Sequence, residues 1–89
     1  MRYRLSDRVA IIRHGTGGEQ VAAVRGRTFY IFNRLGSKVI LSLEQGPKTP
    51  EEISKETGIP LQDILEFLER LLHEERAGKW KIVEVEAEG

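Results

Sequence analysis

Few side chains in this sequence are of the types that catalyse reactions or bind metal ions. The chain has no cysteine and only two histidines, His14 and His73. Neither histidine has a second ligand at the spacing of a zinc or catalytic motif. The glycine-rich stretch Gly15–Gly18 lacks the Lys-Ser/Thr ending of a phosphate-binding loop, so a hairpin turn explains it better. We therefore expect a protein that is not an enzyme and needs no metal or cofactor.

Length and charge distribution narrow the class of protein. An 89-residue chain suffices for one domain with a modest core. Residues 1–48 hold nine basic and three acidic residues, whereas residues 49–76 hold eight acidic and three basic ones. The sequence shows neither a signal peptide nor a membrane-length apolar run, and the lack of cysteine fits a reducing compartment. We expect a cytoplasmic protein with no membrane partner.

The basic half has the composition of a β-meander. Arg8–His14 and Glu19–Arg25 each contain a short run of β-branched and small apolar residues, and Arg27–Phe32 adds aromatic ones. Glycines at Gly15–Gly18 and at Gly26 supply the two turns. Because short links favour pairing of neighbouring strands, the sequence predicts three antiparallel strands in chain order.

The half that follows is predicted to be helical. A first helix spans about Asn33–Gln45, with Asn33 as its N-cap. Thr49 begins a capping box for a short second helix, which ends at Gly58. Apolar residues at a 3.6-residue period predict a third helix over about Leu61–Arg76.

These elements predict an α+β fold, winged helix-turn-helix-like, with a three-stranded antiparallel sheet followed by three helices. Gly78 ends the third helix, and Lys79–Glu86 alternates around Trp80 as either a further strand or an extended tail. One function of such a fold is a DNA-binding winged-helix regulator. The third helix exposes acidic residues such as Glu66 and Glu69, which would be repelled by phosphates, so the charge disfavours nucleic acid.

The other binding mode is capture of an extended peptide at a sheet edge, by pairing with unpaired backbone groups. Strand alternation places Phe29 and Ile31 on one face and Thr28, Tyr30 and Phe32 on the other, and one set is expected in the core. Composition alone favours the simpler interpretation, that all of these residues are core or ordinary surface.

Four short motifs, however, occur in a characteristic order. They are Tyr3–Val9, the strand end Phe32-Asn33-Arg34-Leu35-Gly36, the segment Thr49-Pro50-Glu51-Glu52-Ile53, and Ile64–Leu71 with its Phe67-Leu68 pair. Their order and spacing resemble those of the PqqD-like family over about Arg4–Gly78. Members of that family are leader-peptide-binding domains, called RiPP recognition elements, of pathways that modify ribosomally made peptides.

The resemblance implies a mechanism and a site. The leader of a precursor peptide would add as a strand beside residues 27–32, its apolar side chains entering the cleft beside the third helix, and the arginines would meet acidic leader residues. The peptide-binding residues so implied are Arg27, Thr28, Phe29, Tyr30, Ile31, Phe32, Arg34, Ile64, Phe67, Leu68, Arg70 and Leu71.

The resemblance also implies partners and an extent. The bound leader would be presented to a separate enzyme, such as a leader peptidase or cyclase of a lasso-peptide pathway, or a radical-SAM enzyme. Residues 1–89 would form a single domain with a core over about residues 4–78 and a C-terminal extension over 79–89. A free strand edge also permits self-pairing, so a monomer and an edge-paired homodimer both remain open.

Overall fold

The computed structural model describes residues 1–7, 9–15, 20–73 and 81–86. In chain order the elements are β1 (Arg2–Leu5), β2 (Ala10–His14), β3 (Gln20–Arg25), β4 (Thr28–Ile31), α1 (Arg34–Glu44), α2 (Pro50–Thr57), α3 (Leu61–His73) and β5 (Val83–Glu86). The predicted α+β class is confirmed, with a three-stranded antiparallel sheet in the order β2-β3-β4, three helices and a C-terminal strand.

The meander has the predicted pairing with shorter strands. β2 pairs with β3 and β3 with β4, and Arg25 lies opposite Thr28, so Gly26 and Arg27 form a two-residue turn. Gly26 adopts φ 62°, a left-handed conformation that costs little only for glycine. The predicted strand start at Arg8 and the predicted turn and strand residues 16–19 lie outside the described residues.

The N-terminal segment forms a strand that the sequence analysis did not predict. β1 pairs antiparallel with β5 in a separate two-stranded sheet, in which Arg4 lies opposite Glu84 and forms an ion pair with it at 3.2 Å. Tyr3 of β1 also exchanges backbone hydrogen bonds with Lys48, at 2.8 and 3.0 Å. The alternating segment at the C-terminus is therefore a strand over Val83–Glu86, whereas residues 79–80 lie outside the described parts of the chain.

The start of α1 is tied to the meander by two polar side chains. Asn33 is the N-cap, as predicted, and its Oδ1 accepts a hydrogen bond from the Gly36 N–H at 2.8 Å. Ser37 is fully buried, and its Oγ accepts the Val21 N–H at 3.0 Å. This bond occupies the β3 donor that would otherwise continue the sheet at the point where the chain leaves β4 for α1.

Both ends of α2 also have the predicted chemistry. Thr49 and Glu52 form the capping box, with Glu52 accepting the Thr49 N–H at 2.9 Å, and this hydrogen bond holds the pKa of Glu52 below its ordinary value. Gly58 ends α2 in the left-handed conformation. α3 is described as far as His73, so its predicted continuation over 74–76 and its predicted stop at Gly78 fall beyond the described residues.

One hydrophobic core joins the two sheets and the helices. Its buried members include Phe32, Val39 and Ile40 near the meander, Ile53, Ile64, Leu68 and Leu71 from α2 and α3, and Tyr3, Ile82 and Val83 from the terminal segments. The buried cluster therefore includes residues of both terminal segments. None of the helices in the described parts of the chain is long and apolar enough to cross a membrane.

Candidate functional site

The edge strand β4 forms one side of the candidate site. β3 separates β4 from β2, and among the described strands none pairs with the other edge of β4. β4 is short because Gly26 and Arg27 turn into it and Asn33 caps the helix that follows it. An edge of this kind presents backbone N–H and C=O groups that an extended peptide can bind.

The hydrogen-bond ladder shows which backbone groups face that edge. The Phe32 N–H donates to the Val21 carbonyl at 3.0 Å. Because hydrogen-bonded and non-bonded pairs alternate in an antiparallel ladder, Tyr30 also bonds to β3, whereas Phe29 and Ile31 are the non-bonded positions. The N–H and C=O groups of Phe29 and Ile31 therefore point away from β3, toward the open edge.

Three aromatic rings connect β4 to α3 on the inner side of the sheet. The ring centroids of Tyr30 and Phe32 are 4.8 Å apart, and those of Phe32 and Phe67 are 5.8 Å apart in an edge-to-face arrangement. Phe32 is buried, whereas Tyr30 and Phe67 are only partly buried. We call Tyr30, Phe32 and Phe67 the aromatic wall. Its exposed parts offer an apolar surface beside the free edge of β4.

A hollow of about 190 Å³ continues this surface between α1 and α3. The residues that line it are Asn33, Leu35, Asp63, Glu66, Phe67 and Arg70. Two further arginines lie at the ends of the edge strand, Arg27 in the turn before it and Arg34 at the start of α1, and both side chains are exposed. The surroundings of the edge therefore combine an apolar wall, two flanking cations and a mixed-charge hollow.

The structure brings part of the predicted site together. The edge consists of residues Thr28–Phe32, with Arg27 and Arg34 on either side. Phe67 and Arg70 line the hollow between α1 and α3, and we call this hollow together with the aromatic wall the groove. Ile64, Leu68 and Leu71 instead have at most 1% of their surface exposed and belong to the core. They belong to the same buried cluster as Phe32 and do not line the hollow, because the apolar stripe of α3 faces inward.

One feature of the site was missed by sequence reasoning, and another was left undecided. Leu35 and Asn33 line the hollow beside Phe67, although only their helix and capping roles were predicted. The outer face of β4, with Phe29 62% and Ile31 55% exposed, is also part of the surface around the edge. The strand alternation separated these two residues from Tyr30 and Phe32, but only the packed structure shows which set faces solvent.

A larger depression on the solvent side of α3 is a weaker candidate. It has a volume of about 740 Å³ and is lined by Gln62, Leu65, Glu66, Glu69, Arg70 and His73. All these residues belong to one helix, so within the described chain this surface has no second wall to enclose a ligand. In the same described ranges, no group of three or more acidic or histidine side chains is arranged to hold a metal ion.

The site combines an edge strand that runs directly into a helix with a groove beside a later helix. This arrangement defines a class of small α+β domains. The chain is similar to the solved structure of TbiB1 in complex with the TbiA(beta) leader peptide, with a TM-score of 0.61 and 26% sequence identity, over 78% of this chain and 87% of that one. This likeness confirms the resemblance to leader-peptide-binding RiPP recognition elements. No protein-family model and no curated protein matches the chain.

Proposed function

We propose that this protein binds the leader segment of a ribosomally made precursor peptide by β-strand addition to the edge of β4. The observation that carries the proposal is the outward orientation of the Phe29 and Ile31 backbone groups beside the aromatic wall. An extended peptide at this edge gains main-chain hydrogen bonds from β4 and apolar contacts from the wall. The likeness to TbiB1, which was solved with a leader peptide, supports the same assignment.

Binding of this kind serves a separate enzyme. A leader held on the protein raises the local concentration of the attached precursor near an enzyme that also binds the protein. The proposed enzyme classes are a leader peptidase or cyclase, as in lasso-peptide formation, and a radical-SAM enzyme. The proposed setting is the cytoplasm, and the protein itself contributes recognition and not catalysis.

The charges of α3 argue against the DNA-binding alternative. The exposed charged residues of its described part are Asp63, Glu66, Glu69 and Arg70. A helix with three acidic residues and one basic residue would be repelled by the phosphates of a DNA groove. A recognition role for α3 in the major groove is therefore disfavoured.

Fluorescence anisotropy tests the proposal directly. The probe is a fluorescein-labelled synthetic peptide, which is titrated with the purified protein. Its sequence is the leader half of a precursor peptide whose gene lies beside the gene for this protein. We expect a micromolar or tighter Kd, weakened about tenfold or more by Phe67→Ala or Tyr30→Ala, since buried aromatic anchors dominate such interfaces.

Leu41→Ala is the matched control for these variants. Leu41 is a partly buried apolar residue on α1, in a hollow with Arg13 and Thr57 and not beside the aromatic wall. Its truncation should lower stability without changing the Kd of the folded protein. Absence of leader binding, together with salt-sensitive binding to random duplex DNA, would refute the proposal and favour the regulator.

A further inference from the structure

Among the described residues that the register pairs in the three-stranded sheet, none on the outer face is Asp, Glu, Lys or Arg, although Arg27 of the turn before β4 lies at its margin. The register places eight residues on this face: Ala10, Ile12, His14, Gln20, Ala22, Val24, Phe29 and Ile31. Three large apolar members are more than half exposed, Ile12 at 52%, Phe29 at 62% and Ile31 at 55%. The solvent-exposed face of an antiparallel sheet is ordinarily polar, so this exposed apolar surface indicates a binding surface.

The face by itself is too small for a stable dimer formed by stacking two sheets. Three strands at about 4.8 Å spacing and about five residues at 3.4 Å rise cover roughly 240 Å². A stable interface buries about 800 Å² per partner. Phe29 and Ile31, moreover, lie on the strand with the open edge, so the exposed apolar surface is continuous with the proposed leader site.

The register of β4 determines what an added strand would place beside this face. In a ladder of either orientation, a residue directly opposite another has its side chain on the same face of the sheet. Residues of the added strand opposite Phe29 and Ile31 would therefore project onto the outer face. The residue between them would project inward, toward Tyr30 and the rest of the aromatic wall.

We infer that the site selects a ligand strand that is apolar on both faces, with three consecutive apolar residues opposite Phe29, Tyr30 and Ile31. The two outer residues form cross-strand pairs with Phe29 and Ile31, and the central residue enters the groove. This inference rests on the proposed function and deepens it, because a groove alone would require apolar residues only at alternate positions. Phe29 and Ile31 are thereby specificity-determining residues.

A lysine scan of the labelled leader tests the inference. Each leader position is replaced in turn by lysine, and each Kd is measured by anisotropy against the wild-type protein and the Phe29→Thr/Ile31→Thr variant. Threonine keeps a strand-forming side chain while removing most of the apolar surface. Ile12→Thr is the matched control, because Ile12 is an exposed apolar residue of the same face but lies on β2, two strands from the edge.

We expect three consecutive lysine-sensitive positions with the wild-type protein. In the double variant the two outer positions should lose their sensitivity, the central one should keep it, and the unsubstituted leader should bind about three- to tenfold more weakly. The Ile12→Thr protein should behave as wild type. Circular dichroism verifies the fold, and if the double variant unfolds, Phe29→Thr and Ile31→Thr are tested singly.

The outcomes separate this inference from the proposed function. Leader binding with sensitivity at alternate positions only, or with a Kd unchanged by the double variant, overturns the two-faced selection and leaves leader binding in place. Failure of the unsubstituted leader to bind the wild-type protein overturns the proposed function, and the inference with it.

Discussion

The ring of Phe67 lies directly against Gly36, across the interface between α3 and the first turn of α1. A Cβ atom at position 36 would be 2.9 Å from Cε1 and 3.0 Å from Cζ of that ring. Contacts this short do not occur between well-packed carbon atoms. The absence of a side chain at Gly36 therefore permits the position of Phe67 in the aromatic wall.

Gly36→Ala should consequently affect the groove more than the fold. Alanine favours the helix by about 1 kcal/mol over glycine, which offsets part of the clash, while the Phe67 ring must move toward the leader site. We expect leader Kd to rise about three- to tenfold with little change in the free energy of unfolding. The Gly36→Ala/Phe67→Leu double variant should bind no worse than Phe67→Leu alone; additive losses would contradict a shared contact.

Ser37→Ala should destabilise the junction of the sheet and α1. The substitution leaves the Val21 N–H, which now donates to Ser37 Oγ at 3.0 Å, buried without that acceptor. Loss of such a partner costs about 1–3 kcal/mol, measurable by urea denaturation. Lys38→Ala, at the next and exposed position of α1, should change stability by less than about 0.5 kcal/mol. Equal effects of the two substitutions would argue against this role for Ser37.

Amide hydrogen exchange should identify the edge at which the leader binds. In the free protein the Phe29 and Ile31 N–H groups face the open edge, whereas the Phe32 N–H is bonded to Val21. Leader binding should slow exchange at Phe29 and Ile31 by tenfold or more and change Phe32 little, because strand addition pairs only the outward groups. NMR exchange with and without the leader measures this. Protection of β2 amides alone would place the leader at the other edge.

The arginines at the ends of β4 should make leader binding sensitive to salt. Arg27 and Arg34 are exposed and close to the edge strand, so acidic leader residues can approach both. Arg27→Ala or Arg34→Ala should each weaken binding of an acidic leader by up to about fivefold at low salt, and less at 0.5 M NaCl. Lys55→Ala, an exposed cation on α2, is the control. An effect of Lys55→Ala as large as that of the arginines would indicate net charge and not position.

Acidification should lower the stability of the protein through the carboxylates of α2. A hydrogen bond from the Thr49 N–H lowers the pKa of Glu52, and the ammonium of Lys48 lowers that of Glu56. Because both pKa values are lower in the folded state than the ordinary 4.5, the stability they contribute is present above pH 4.5 and is lost as pH falls through the folded values. The Tm should drop over this range, and less steeply in Glu52→Gln and Glu56→Gln.

Glu51→Gln is the control for the acid titration, because Glu51 is an exposed carboxylate of the same helix turn. A change in the slope of Tm against pH as large as that of Glu52→Gln would indicate the loss of a negative charge from α2 and not the loss of the capping hydrogen bond. A wild-type Tm that stays constant between pH 5 and pH 3 would contradict the assignment.

Local signals in the sequence determined most elements of this protein. Gly26, Asn33, Thr49 and Gly58 act within a few residues of themselves, so the turn, the two helix starts and the helix end predicted from them are found in the structure. Alternation along β4 likewise separated Phe29 and Ile31 from Tyr30 and Phe32. These features depend on backbone conformation and on hydrogen bonds between near neighbours, which residue type controls.

Only the tertiary structure decided how those elements meet. The pairing of β1 with β5 joins the two ends of the chain, and no local pattern in Arg2–Leu5 specifies a partner so distant. The helical period of α3 placed Phe67 at the margin of the apolar stripe, but it did not show that Ile64 would be buried in the core and Phe67 left beside the groove. Packing against α1 and the sheet buries Ile64 and leaves Phe67 beside the edge, because burial is a property of what a face contacts and not of the face alone.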